Sequence, residues 1–152
     1  MPSTSNPVLA ALKADHKKVK ALFDEYEHAT ARKQQEISHT VMHELEIHAA
    51  LEEQLIYPAI REEIEADDVM NEATEEHHLV HVLLKELKQL DSDDEAFKAK
   101  FTVLGELVKH HVKEEEGEMF PKAQKADIDW EELGAEVAQR KEQLTAKFAA
   151  RS

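Results

Sequence analysis

The chain has 152 residues, with 19 basic and 33 acidic side chains and a formal net charge of −14. That length suits one domain, which can bury roughly two-thirds of its unfolded surface without covalent staples. The acidic balance argues against nucleic acid or an anionic membrane surface as a partner, and the absence of cysteine excludes disulfides, thiolate metal sites and cysteine nucleophiles.

Ten histidines stand beside only three glycines and four prolines, and so few helix breakers predict long helices. Met1 to Pro7 has neither the basic nor the apolar stretch of a secretory signal. No apolar run approaches the ~18 residues of a membrane span, so the expected location is a reducing cytoplasm. Asn6 followed by Pro7 reads as an N-cap with proline in the first turn, which starts a helix running to about Ala29. Its inner face carries Leu9, Leu12, His16, Val19 and Phe23 at three- and four-residue steps. Thr30 caps a second helix with Val41, Leu45, His48, Glu52 and Leu55 on one stripe. Pro58 is expected to kink or unwind it before it resumes to about Glu65. Asp67 and Asp68 punctuate ahead of a third helix, Val69 to Leu90, with Ala73, His77, Val80, His81 and Leu84 inward. Ser92 to Asp94 cap a fourth, which carries Phe101, Leu104, Leu107, Val108, His111 and Glu115 and is broken by Pro121. Asp127 or Asp129 starts a fifth helix, to about Phe148. The expected architecture is all-α: an antiparallel up-down four-helix bundle over about 7–125 with an additional C-terminal helix over about 129–148, in a single domain spanning 1–152.

The two halves repeat. Asp15-His16 corresponds to Glu76-His77; His48 with Glu52-Glu53, ending in Tyr57-Pro58, corresponds to His111 with Glu115-Glu116, ending in Phe120-Pro121. Two such hairpins packed face to face bring imidazoles and carboxylates into one apolar core. Leaving them there without partners costs several kcal/mol. A metal pair compensates most simply, and mixed carboxylate and imidazole donors suit iron. The facing pattern sorts the remaining histidines: His28 and His39 lie on solvated faces, His43 lies between faces, His78 is about 100° round from His77, and His110 yields to His111. It also disposes of a ferritin-like Glu-x-x-His arrangement, because Glu25/His28 and Glu36/His39 point to water and Glu75/His78 lies off the core stripe.

The inward set is therefore His16, His48, Glu52, His77, His81, His111 and Glu115. On these residues the chain resembles a hemerythrin-like (HHE cation-binding) domain over residues 7 to 125. The resemblance implies that all seven are metal ligands, His16 from the first helix, His48 and Glu52 from the second, His77 and possibly His81 from the third, His111 and Glu115 from the fourth. The family's spacing also admits Glu116 as the last acid, whereas the internal repeat favours Glu115. The implied cofactor is two Fe ions (Fe2+/Fe3+) with an oxo or hydroxo bridge, one ion with an open position for O2, NO or peroxide. Without His81 both ions are more open, and peroxide or NO chemistry gains. Tyr57 stands five residues after Glu52, off the stripe of a regular helix, unless Pro58 swings it inward; there its oxygen would depress O2 carriage.

The favoured function is O2 or NO binding for storage, delivery or sensing, with no catalytic dyad outside the metal set. The alternative is a di-iron enzyme acting on hydrogen peroxide or NO. Iron handling in stress repair ranks third, because related repair proteins carry a cysteine-bearing N-terminal segment. The expected partners are a small gas or peroxide ligand and, at most, a second copy of the chain in a weak homo-oligomer; nucleic acid and membrane are not expected.

Overall fold

The computed structural model describes residues 6–65 and 67–151; Met1 to Ser5, most of the segment read for a secretory signal, lie outside the described residues. Seven α-helical segments follow in order: α1 (Pro7–Tyr26), α2 (Ala31–Leu51), α3 (Tyr57–Glu63), α4 (Asp67–Leu87), α5 (Glu95–Glu114), α6 (Phe120–Gln124) and α7 (Trp130–Arg151). Two π-helical turns, Glu52–Ile56 and Glu115–Met119, join α2 to α3 and α5 to α6 into continuous rods. No strand occurs among the described residues, and no described helix is long and apolar enough to cross a membrane.

Local chemistry sets the ends. The Asn6 side chain accepts hydrogen bonds from the Val8 and Leu9 amides at 3.0 and 3.1 Å, and the Thr30 hydroxyl accepts from Lys33 at 3.3 Å. The Asp94 carboxylate accepts from Ala96 at 2.8 Å. α1 stops three residues short of Ala29 because the His28 and Ala29 amides turn back to Glu25 and Tyr26 in tight i to i−3 bonds. The Gln89 and Leu90 amides do the same to Glu86 and Leu87, and α4 ends at Leu87 rather than Leu90. Asp67 and Asp68 do not precede the third helix of the bundle; α4 begins with them.

Neither proline ends a helix. Pro58 and Pro121 each sit in the first turn of the α segment that follows a π turn. A proline in a regular helix lacks a donor and clashes with the carbonyl one turn back; the wider turn accommodates it. Each π turn also adds one residue, about 100° of helix rotation. The buried stripe after Glu52 therefore moves from Leu55 to Ile56, Tyr57 and Ile60. After Glu115 it moves to Met119, Phe120 and Ala123, leaving Glu118 and Lys122 exposed.

α1 packs against α2 and α5, and α4 against α2 and α5, which makes the antiparallel four-helix bundle; α7 lies along α1 and α2. The apolar interior divides into two clusters. One gathers Leu12, Ile56, Ile60, Met70, Met119 and Phe120 with Leu133 and Val137 of α7. The other gathers Val19, Phe23, Val41, Leu84, Phe101 and Leu104. Buried polar residues occupy the seam between them.

Candidate metal centre

Each of the four bundle helices carries one histidine into that seam: His16 on α1, His48 on α2, His77 on α4 and His111 on α5. Glu52 and Glu115 open the two π turns and are 0% and 1% exposed. These six side chains form two quartets of donor atoms, His16–His48–Glu52–Glu115 and Glu52–His77–His111–Glu115. The two carboxylates belong to both. The internal repeat is visible in the geometry, since the His16 and His48 rings and the His77 and His111 rings are each 4.9 Å apart, tilted by 57° and 61°.

The inner edges of the rings meet the carboxylates. His16 Nε2 lies 3.1 Å from Glu115 Oε1 and 3.2 Å from His48 Nε2. His48 Nε2 is 3.3 Å from Glu52 Oε2, His77 Nε2 is 3.0 Å from Glu52 Oε1, and His111 Nε2 is 3.0 Å from Glu115 Oε2.

The outer edges are tied by a second ring of acids. Nδ1–H of His16 donates to Glu116 at 2.6 Å, that of His48 to Asp15 at 3.3 Å, that of His77 to Glu53 at 2.8 Å and that of His111 to Glu76 at 2.6 Å. Each acid is the chain neighbour of one central residue and reaches a histidine on a different helix. A carboxylate accepts only, so in the neutral ring it holds the proton on Nδ1 and turns the Nε2 lone pair to the seam, the state a metal ligand needs. These four acids were part of the repeated pattern in the sequence. Their role was not legible there, because a residue next to an inward one points about 100° away.

Tyr57 is central to the arrangement. In an uninterrupted α-helix it would stand about 140° from Glu52; the π turn reduces this to roughly 40°. Its hydroxyl donates to Glu115 Oε2 and lies 3.3 Å from Glu52 Oε1, 3.3 Å from His77 Nε2 and 3.2 Å from His111 Nε2. Phe120 takes the corresponding place in the second half and stacks on His16 with centroids 6.0 Å apart.

His81 falls outside both quartets. It is 44% exposed, and its Nε2 bonds Glu53 at 2.7 Å; Val80 and Leu84 take the inner stripe of α4, so the fourth residue after His77 faces the groove toward the first π turn and α3. Glu115 stands in the centre and Glu116 behind His16. His28, His39, His78 and His110 are exposed, and His43 is half-buried against Phe148.

Burial opposes charge on His48, yet the Glu52 and Asp15 carboxylates outweigh it and hold its pKa well above the ordinary value. The same balance, with Glu52 and Glu53, raises His77 to about 9. Burial opposes the charge of Glu52, but His48 and His77 draw its pKa well down. Burial and the two carboxylates push Tyr57 well up. Protons alone leave the cluster incomplete. Glu52 Oε2 and Glu115 Oε1 are buried without a hydrogen-bond partner, although imidazole nitrogens stand 3.3 and 3.1 Å away. Such orphans are rare in native interiors; metal cations held in the seam would satisfy both oxygens and accept the Nε2 lone pairs. Each quartet, two histidines and the two shared carboxylates, would suit a divalent transition metal.

Above the histidines lies a space of about 40 Å³, walled by Val19, Leu45, Ala49, Val80, Val108 and Val112. Leu45 reaches this space, while Phe23, Leu84 and Leu104 pack in the adjoining cluster.

Residues 8–123 match the model of the hemerythrin HHE cation-binding domain. A crystal structure of a hemerythrin HHE cation-binding domain-containing protein from Mycobacterium kansasii superposes with a TM-score of 0.77 at 26% identity, over 98% of this chain and 94% of that one. A protein of a Nostoc species described as a DNA nickase is 30% identical over 110 residues, 72% of this chain but only 31% of that protein. The chain belongs to the hemerythrin HHE cation-binding family.

Proposed function

We propose that this member of the hemerythrin HHE cation-binding family holds two iron ions between His16, His48, His77, His111 and the shared carboxylates Glu52 and Glu115, and binds O2 or NO there for storage, delivery or sensing. The observation that carries this reading is the sharing of Glu52 and Glu115 by two histidine pairs, a donor set for two adjacent ions rather than one. Imidazole together with carboxylate suits iron. When bound, the pair supplies one-electron redox chemistry to a small ligand.

The chain's own residues prepare that chemistry. Asp15, Glu53, Glu76 and Glu116 orient the rings and keep their lone pairs inward. The valines above the histidines give the space there apolar walls, and about 40 Å³ has room for a diatomic molecule. The proposal puts the protein in the cytoplasm, where ferrous iron stays reduced, as a monomer or weak homo-oligomer. The nickase description belongs to a protein of which this chain covers 31%, and a net charge of −14 offers a phosphate backbone little attraction.

A second reading, turnover of hydrogen peroxide or NO, is favoured by the exposed position of His81. With four inward histidines rather than five, each ion keeps more open positions. The test is iron content per chain with visible spectra of the reduced anaerobic protein before and after air is admitted. Two irons and a reversible charge-transfer band support O2 binding; two irons with irreversible oxidation and rapid peroxide loss move the assignment to the enzyme. Fewer than two irons per chain after ferrous reconstitution overturns both.

A further inference from the structure

The two quartets are alike in their histidines and carboxylates but not in the residue that follows each π turn. In both halves the turn advances the helix so that the fifth residue after the carboxylate enters the seam: the Tyr57 amide donates to the Glu52 carbonyl, and the Phe120 amide to the Glu115 carbonyl. One half thus delivers a phenol and the other a phenyl ring. The Tyr57 oxygen is 3.2 and 3.3 Å from His111 and His77. The Phe120 ring stacks on His16, in the other quartet, and offers no lone pair.

Resting on the iron-pair reading above, we propose that Tyr57 is an oxygen donor to only one of the two ions, the one held by His77 and His111, so that the pair is chemically unequal. On ligation the phenol O–H bond breaks, the proton leaves to solvent, and the oxygen lone pair goes to the ion. An added anionic oxygen favours the trivalent over the divalent state, because the attraction grows with the charge of the ion. The ion beside Tyr57 is then the last to be removed and the last to be reduced, while the ion beside Phe120 keeps the open position.

The experiment uses the full chain loaded with two equivalents of iron and oxidised, read by visible absorption and resonance Raman spectroscopy and by timed iron removal with a chelator. The expected result is a tyrosinate-to-iron band with phenolate vibrations and biphasic iron release. Tyr57→Phe should keep two irons while losing the band and the slow phase. Phe120→Tyr should add a second tyrosinate contribution and slow the fast phase. Two bound irons with no tyrosinate band in the natural chain, or a band that survives Tyr57→Phe, overturns the assignment. A Phe120→Tyr chain with two irons and an unchanged band overturns the claim that each π turn addresses its own ion. Failure to bind two irons at all sinks the underlying iron-pair reading instead, and the metal count separates the cases.

Discussion

Glu52→Gln and His16→Ala separate a shared donor from a private one. Glu52 stands in both quartets and His16 in one, so the first substitution weakens two ion sites and the second only one. At a metal concentration about 100 times Kd, each bound ion stabilises the native state by about 2.7 kcal/mol. Two ions give about 5 kcal/mol, and at 2–4 °C per kcal/mol for a chain of this size the metal-induced rise in Tm is roughly 10–20 °C. His16→Ala should retain about one ion and half the rise. Glu52→Gln, nearly equal in volume, should retain neither ion at useful affinity and show almost no rise. Elemental analysis after desalting and differential scanning calorimetry with and without metal read both quantities. Equal stoichiometry in the two variants would refute the sharing of Glu52 between the two ions.

Three further outcomes follow from packing and burial. Phe101 is 0% exposed and lies against Phe23, Tyr26 and Phe97, so Phe101→Ala should cost about 3–5 kcal/mol in urea unfolding. Val103→Ala, at a position 51% exposed, should stay within about 0.5 kcal/mol. The glycines should diverge in the same assay: a Cβ on Gly105 would meet Phe23 Cδ1 at 2.9 Å, whereas one on Gly117 meets nothing within 4 Å. Gly105→Ala is expected to destabilise by about 1–3 kcal/mol, and Gly117→Ala to stabilise by about 0.5–1 kcal/mol. In the metal-free protein burial raises the Tyr26 phenol, and burial with two carboxylates raises that of Tyr57. Neither of the chain's two tyrosines should then reach half-ionisation at the pH near 10 where a free tyrosine does. Because the folded value is the higher one, their contribution to stability is intact below about pH 10 and declines as pH rises toward the folded pKa. Ordinary titration of tyrosinate absorbance in the folded protein would contradict their burial.

The helices and the inward direction of His16, His48, His77 and His111 were readable from spacing alone, because a 3.6-residue period carries the buried face in its own pattern. The caps at Asn6, Thr30 and Asp94 were readable for a similar reason: side chain and amide lie within three residues of each other. His81 shows the limit of the method. Four residues past His77 is only 40° round, and which side of that arc faces the core depends on the neighbouring helix.

What the linear chain settled is everything a single helix can express: its periodicity, its ends, the duplicated order of acids and imidazoles, and prolines at matching places in both halves. Three-dimensional packing decided the rest. How a helix yields to proline is not written in its local pattern; here both rods widened by one residue and carried on, which turned Tyr57 toward the carboxylates and Phe120 toward His16. Likewise, whether Asp15, Glu53, Glu76 and Glu116 meet solvent or an imidazole depends on which helix lies beside them, a fact that exists only once four rods are packed together.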